Sequence, residues 1–507
     1  MLAKLLVATA VATGLAVAPG APQGEVVRTA DGLVRGVVAA DHRAFQGIPF
    51  AAPPVGELRW RSPRPVTPWT GVRDATEPGD RCAQGAGTGT PSTSEDCLYL
   101  NVTTPDTSGR KPVMVWVHGG GNSYYSGADY DPTRFAVTGD VVVVTVNYRL
   151  GAFSAFAHPG LAGGGAFGME DQQAALRWVR RNATAFGGDP GRVTLFGESG
   201  GGWNVCGQLT SPGARKLFQR AIVQSGTCAL NWTANSVSYP HPAGSPWLPL
   251  AESRAQGADL AARHGCADVE CLRRVPAADL VPPDTAPIRM TSLAYGTDVL
   301  PDRPDRALAR GAFHRVPVVI GHTRDEGRVF VAAVPRPFTE ETYRSLLVEA
   351  FGDGASRVAA EYPAGAFDSP ALAWAQVVTD RVWACGHVVD QRAMARHTTV
   401  YGYEFADRTA PTGWFTFPPD LPAGAFHSAE MPYLIEPVGF GATLNPAQAV
   451  LSDQMIAYWT RFAATGNPNG GDLPRWQTYR GTNALSLAPG AITHVDVAAE
   501  HNCSFWL

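Results

Sequence analysis

The sequence predicts an α/β chain in which a mostly parallel sheet is wrapped by helices. Three observations carry that expectation: short continuous apolar runs recur along the chain, helical patterns separate them, and glycine-rich turns follow where a run ends. The first run is Val113-Met-Val-Trp-Val117, which leads almost at once into Gly119-Gly-Gly121. Val141-Val-Val-Val-Thr-Val146 is a second buried strand. Between Glu170 and Phe186, the residues Ala174, Leu176, Trp178, Val179 and Phe186 sit in a helical pattern that Gly187-Gly188 ends with a stop signal. Arg192-Val-Thr-Leu-Phe196 then reads as a strand running into Gly197-Glu-Ser-Gly-Gly201. Further strands are expected at Ala221-Ile-Val223, Val316-Pro-Val-Val-Ile320 and, last, Thr399-Val-Tyr-Gly-Tyr403. The stretches from Asn231 to His314 and from Val334 to His397 carry helical patterns broken by Pro and Gly. They read as insertions that roof a site rather than as separate domains. With no internal repeat and no low-complexity linker, residues 25–507 are expected to form one domain.

Composition narrows the function. The 507 residues carry 41 basic and 45 acidic side chains, a net charge of -4 that offers no electrostatic footprint for nucleic acid. The N-terminus combines Lys4, an apolar run from Leu5 to Val17 and a small-residue region, the pattern of a secretory signal peptide. We expect such a segment over residues 1–24, with cleavage between Ala18 and Gly24. That run is too short to span a bilayer and no later segment approaches the roughly 18 apolar residues a span needs, so no stable membrane anchor is expected. Export would let disulfides persist among the eight cysteines. They include no CxxC pair and no Cys/His cluster at zinc spacing, which disfavours a metal site. Spacing alone does not assign the pairs, although Cys82 with Cys97 and Cys266 with Cys271 would close short loops.

Gly197-Glu198-Ser199-Gly200-Gly201 matches the G-x-S-x-G elbow, and its context is right: a strand precedes Ser199 and a helical pattern follows. A serine hydroxyl is a weak nucleophile unless a base takes its proton, and the base needs an acid to fix its tautomer. These partners are expected in the order serine, acid, histidine. Asp325 and Glu326, just past the strand ending near Ile320, are the acid candidates. His427, in a polar loop beyond the last expected strand, is the candidate base, with His387, His397 and His501 competing. An oxyanion hole needs backbone N–H groups from a glycine-rich loop, and His118-Gly119-Gly120-Gly121 follows an early strand as required.

With these residues in view, the chain resembles the type-B carboxylesterase family, an α/β-hydrolase group that includes carboxylesterases, fungal lipases and cholinesterases. The likeness includes Phe45-Gln-Gly-Ile-Pro-Phe-Ala-Ala-Pro-Pro-Val-Gly56, Ser94-Glu-Asp-Cys-Leu-Tyr-Leu-Asn101 and Val115-Trp-Val-His-Gly-Gly-Gly121. It continues through Asn147-Tyr-Arg, Phe186-Gly-Gly-Asp-Pro190, Thr194-Leu-Phe-Gly-Glu-Ser199 and Asp325-Glu-Gly327. The resemblance implies an α/β-hydrolase fold with large helical insertions over the active site. It also implies cofactor-free hydrolysis of a small-molecule or lipid ester through an acyl-enzyme. Residue by residue it implies Ser199 as nucleophile, Glu326 rather than Asp325 as acid, and His427 as base. Gly120, Gly121 and Gly200 become the oxyanion donors, Ser225 a support for the acid, and Glu198 an acidic neighbour of the site.

The same resemblance implies disulfides Cys82–Cys97, Cys266–Cys271 and Cys385–Cys503, leaving Cys206 and Cys228 as either a fourth bridge or two thiols. It also implies the ion pairs Arg59–Glu95 and Arg149–Asp171. Two departures stand out. No aromatic residue lies between Cys82 and Cys97, so the choline-binding tryptophan of the cholinesterases has no counterpart there. Gly200 stands where the family most often has alanine. A lipase acting on long-chain or triglyceride esters is the alternative reading, and a non-catalytic binding homologue, whose triad would be incomplete, a remote one. Asn122, Tyr124, Tyr125 and Trp203 are candidates to line the pocket or to pack, with Trp203, on a helix, reading better as a packing residue.

Overall fold

The computed structural model describes residues 24–87, 89–282, 290–481 and 483–507. Apart from Gly24, the expected signal segment lies outside the described residues.

A strand with no polar face must be covered on both sides, so the continuous apolar runs belong in mid-sheet. The main sheet has eleven strands. In chain order they are β1 (Val37–Val38), β2 (Arg43–Pro49), β3 (Tyr99–Thr104), β4 (Lys111–Val117), β5 (Val142–Val146) and β6 (Gly188–Glu198). They continue as β7 (Arg220–Gln224), β8 (Val318–Thr323), β9 (Val400–Phe405), β10 (Asn483–Ala488) and β11 (Ala491–Asp496). Their spatial order is β11-β10-β9-β8-β7-β6-β4-β5-β3-β2-β1. The seven strands from β10 to β5 run parallel, and antiparallel strands close both edges.

Period-two alternation divides the apolar residues between two cores. Val113, Val115 and Val117 of β4 face a core that includes Leu176 and Trp178 of helix α1 (Phe167–Asn182) and Trp203 of helix α2 (Gly200–Thr210). Met114 and Trp116 face the opposite core, with Phe135 and Trp459. The family fold is the α/β-hydrolase type that the sequence implied. Two strands of this sheet, β10 and β11, were not anticipated after Thr399–Tyr403; β11 is exposed or half-exposed along its whole length and carries no apolar stripe to announce it. It pairs only with β10, whose four central residues are buried.

Ion pairs and bridges anchor the loops. Arg149 donates from Nε and Nη2 to Asp171 at 2.8 and 2.7 Å with both side chains buried, and Arg59 holds Glu95 at 2.7 and 2.5 Å. Removing one partner of such a buried pair typically costs about 3–5 kcal/mol, because the other charge is left without compensation. Cys82–Cys97, Cys266–Cys271 and Cys385–Cys503 are bonded. The pair that the sequence left open, Cys206–Cys228, is bonded as well, tying α2 to the loop after β7. Among the described residues no helix is long and apolar enough to cross a membrane.

Candidate active site

Because β6, β8 and β9 run parallel, the segments leaving them emerge on the same edge of the sheet: Ser199 directly after β6, Glu326 three residues past β8, and His427 in the longer loop after β9. Ser199 has φ 55° and ψ -121°, a backbone state that a residue with a Cβ rarely adopts. The turn is held by its N–H donating to Gln224 O at 2.9 Å and by its C=O accepting the N–H of Trp203 at 3.0 Å. Crowding dictates its glycines: a Cβ on Gly201 would lie 2.0 Å from Val117 O, and one on Gly197 would lie 2.6 Å from the same oxygen. Gly200, the departure from the family's usual alanine, has the same cause. A Cβ there would come within 2.7 Å of Gly121 N, so the glycine lets the two loops of oxyanion candidates close on each other. Gly120 and Gly121 both have positive φ, 86° and 59°.

Ser199, Gly120, Gly121 and His427 line one cavity of about 500 Å³. Tyr124 and Tyr125 line it too, whereas Asn122 is bonded to Asn204 and Trp203 packs on Trp232 with centroids 5.9 Å apart. Behind His427, Nδ1–H donates to Oε2 of the fully buried Glu326, whose other oxygen accepts the N–H of Thr323 at 3.0 Å. Burial would raise the Glu326 pKa, but His427 outweighs it and holds the carboxyl below its ordinary value. The bond therefore fixes the imidazole tautomer and leaves Nε2, on a ring that lines the cavity, without a hydrogen bond among the described residues. Oε1 of Glu198 lies 3.3 Å from that nitrogen and accepts the Ser428 hydroxyl at 2.5 Å. Burial lowers the His427 pKa, yet Glu326 and Glu198 prevail and push it up to about 9.

A family model described as the carboxylesterase family matches residues 23–506. The chain belongs to the carboxylesterase family. Similar relatives include fumonisin B1 esterase from Sphingopyxis macrogoltabida, 37% identical over 503 residues that cover 92% of this chain and 87% of the relative. Para-nitrobenzyl esterase from Bacillus subtilis (strain 168) is 33% identical over 475 residues, covering 90% of this chain and 92% of that one. Among solved structures, a thermophilic PNB esterase superposes with a TM-score of 0.78 at 30% identity, covering 96% of this chain and all of that one. As a carboxylesterase, the protein is a carboxylic ester hydrolase.

The carboxylesterase uses its two adjacent acidic residues differently. Asp325 accepts Nε and Nη2 of Arg408, both at 2.9 Å, and Nη2 of Arg328 at 2.9 Å. It also accepts the N–H of Ala425 at 2.9 Å, while its own N–H donates to Ala425 O at 2.8 Å. Asp325 thus clamps the loop bearing Glu326 to the loop bearing His427. Sequence reasoning treated it only as a rival acid, since Arg408 and Ala425 are 83 and 100 residues away. It also passed over Glu430, which is fully buried with neither carboxyl oxygen hydrogen-bonded. Burial, with Glu198 and Glu326 nearby, pushes Glu430 up to about 8, so it holds its proton at neutral pH.

The competing histidines serve elsewhere. His387 is buried with Nδ1 at 3.0 Å from Trp383 O, and His397 packs edge-on against Phe313. His501 lies between Asp380 at 2.6 Å and Glu404 at 2.7 Å. His322, Glu404 and His501 are the one group with metal-like spacing among the described residues. Arg324 also holds Glu404, at 2.7 Å, so this set balances its own charge.

Asp325→Asn keeps the shape of the clamp but removes the charge facing two guanidinium groups. We expect kcat on p-nitrophenyl butyrate to fall about 10-fold or more while KM changes little, the sign of a misplaced reacting geometry rather than lost substrate binding. Steady-state kinetics on the folded variant check it, and a kcat within twofold of the parent would exclude the clamp.

Proposed function

We propose that the protein is an exported serine esterase, folded as one catalytic domain over residues 25–507, that cleaves uncharged carboxylic esters with Ser199, His427 and Glu326. The observation that carries this reading is the His427 imidazole, bonded through Nδ1 to an ionised buried carboxylate, its Nε2 without a hydrogen bond among the described residues, in a cavity that Ser199 also lines. His427 takes the Ser199 proton as Oγ attacks the ester carbonyl, and the backbone N–H groups of Gly120, Gly121 and Gly200 receive the developing oxyanion. The alcohol departs with the proton from His427. Water, deprotonated by the same imidazole, then attacks the acyl-enzyme and releases the acid.

The cavity lining suits a neutral substrate. Phe330, Trp414, Phe415, Phe440, Met290 and Val438 supply apolar surface, and the charged pair Arg81 and Asp129 bond to each other. Four disulfides among the described residues support an oxidising compartment and hence export. The single-domain reading rests on the one sheet that runs from Val37 to Asp496 with both cores packed on it.

Ser199→Ala should lower turnover of p-nitrophenyl butyrate by roughly 10⁴-fold or more with the circular dichroism unchanged, and a folded variant that retained turnover would remove the assignment. Since only neutral imidazole accepts the serine proton, kcat/KM should fall as pH drops below about 9. Glu198→Gln removes an anion that favours the imidazolium, so the midpoint of that limb should move down by about one unit or more while the plateau kcat decreases. A midpoint unmoved in the pH profile would count against Glu198 as the electrostatic partner. Export is checked by N-terminal sequencing of protein from the medium, expected to begin between Pro19 and Glu25; a chain retaining Met1 inside cells would refute it.

A further inference from the structure

The edges of the His427 imidazole meet carboxylates, but its ring also packs against two aromatic side chains that the steps above do not use. The centroid of Trp383 lies 4.6 Å from that of His427, tilted by 43°, and Phe330 lies 5.0 Å away, tilted by 47°. The two aromatic rings are themselves parallel within 4° at 5.4 Å, so the imidazole sits against a paired aromatic platform. Phe330 comes from helix α3 (Gly327–Ala332), which begins right after Glu326, and it lines the cavity.

Trp383 arrives by a less ordinary route. It belongs to a π-helical turn, Thr379–Ala384, inserted between helix α4 (Pro370–Val378) and helix α5 (Cys385–Ala395). Such turns rotate the side chains that follow them and occur frequently at functional sites. This turn contacts both ends of the proposed relay: Thr379 Oγ1 accepts the N–H of Gly327 at 2.9 Å, one residue beyond Glu326, and Trp383 packs on His427. The indole is almost completely buried with its Nε1–H unpaired among the described residues. A buried donor left without an acceptor carries a desolvation cost. Its position here is set by the ring face and not by a hydrogen bond.

We propose that Trp383, assisted by Phe330, is a positioning residue for His427, whose aromatic faces hold the imidazole in line with Ser199 and stabilise the imidazolium formed during attack. The inference rests on His427 acting as the base. A cation close to an aromatic face is attracted by the ring quadrupole, most strongly for tryptophan and more strongly when water is excluded. The titratable groups facing His427 are Glu326 from the loop after β8, Glu198 from the elbow, Glu430 from its own loop and His387 from α5, which burial keeps neutral. None of these groups is itself substituted when the aromatic platform is changed, so a shift in the pH profile reports on the rings.

The experiment compares Trp383→Leu, Trp383→Phe and Phe330→Leu in the full chain with p-nitrophenyl butyrate across pH. For Trp383→Leu we expect kcat to fall about 5- to 10-fold with KM within about twofold, and the acidic midpoint of kcat/KM to move down by about half a unit or more. Trp383→Phe, which keeps an aromatic face, should restore most of both. Phe330→Leu removes the second ring from the cavity side, should move the midpoint in the same direction, and gives the same test if Trp383→Leu does not fold. Leu and Phe variants at position 383 that share the parent midpoint would reduce Trp383 to packing and overturn the proposal. Failure of the base assignment itself would look different, because His427→Ala would then keep its turnover.

Discussion

The hydrogen bond from His427 Nδ1 to Glu326 joins groups that are nearly or fully buried, and most of the surrounding structure serves to keep that bond closed. A carboxylate in such a place is costly unless its charge is met, and here it is met by the imidazole and by Thr323 N–H. The consequence is an imidazole with one tautomer and one orientation. Its remaining nitrogen lies 3.3 Å from Glu198, on a ring that lines the cavity.

Keeping two loops in register across that bond requires ties on either side. Asp325 supplies them through Arg408, Arg328 and Ala425, and the π-helical turn supplies another through Thr379 and Trp383. Farther out, Asp380 and Glu404 fix His501 beside the Cys385–Cys503 bridge, which pins the C-terminal segment to α5. On the serine side the constraint is steric. The elbow and the glycine loop after β4 approach so closely that a methyl group at Gly200 or Gly201 would collide with backbone. Strain at Ser199 is tolerated because the strands below and the helix behind it, bonded through Cys206–Cys228, leave the turn little alternative.

Much of this was legible before any coordinates. Buried runs such as Val113–Val117 signal mid-sheet strands because they lack a polar face, and the elbow signals itself because its glycines answer a local steric demand. The edge strand β11 was illegible for the opposite reason: half solvated, it has no stripe. Trp383 could not be read as a neighbour of His427, since a π-turn breaks the helical period on which pattern reading depends.

The sequence by itself determined the strand–turn–helix units and the motifs that carry the family resemblance, because these are set by local sterics and by residues close in the chain. Tertiary structure alone decided that Asp325, beside Glu326, clamps the loop that carries His427. It also decided that Cys206 bonds Cys228, that Gly200 packs tightly against Gly121, and that Glu430, without a hydrogen bond among the described residues, stays protonated beside the site. Each of these depends on distances between segments far apart in the chain and on the low dielectric that forms only when they pack. Neither quantity exists in the unfolded sequence.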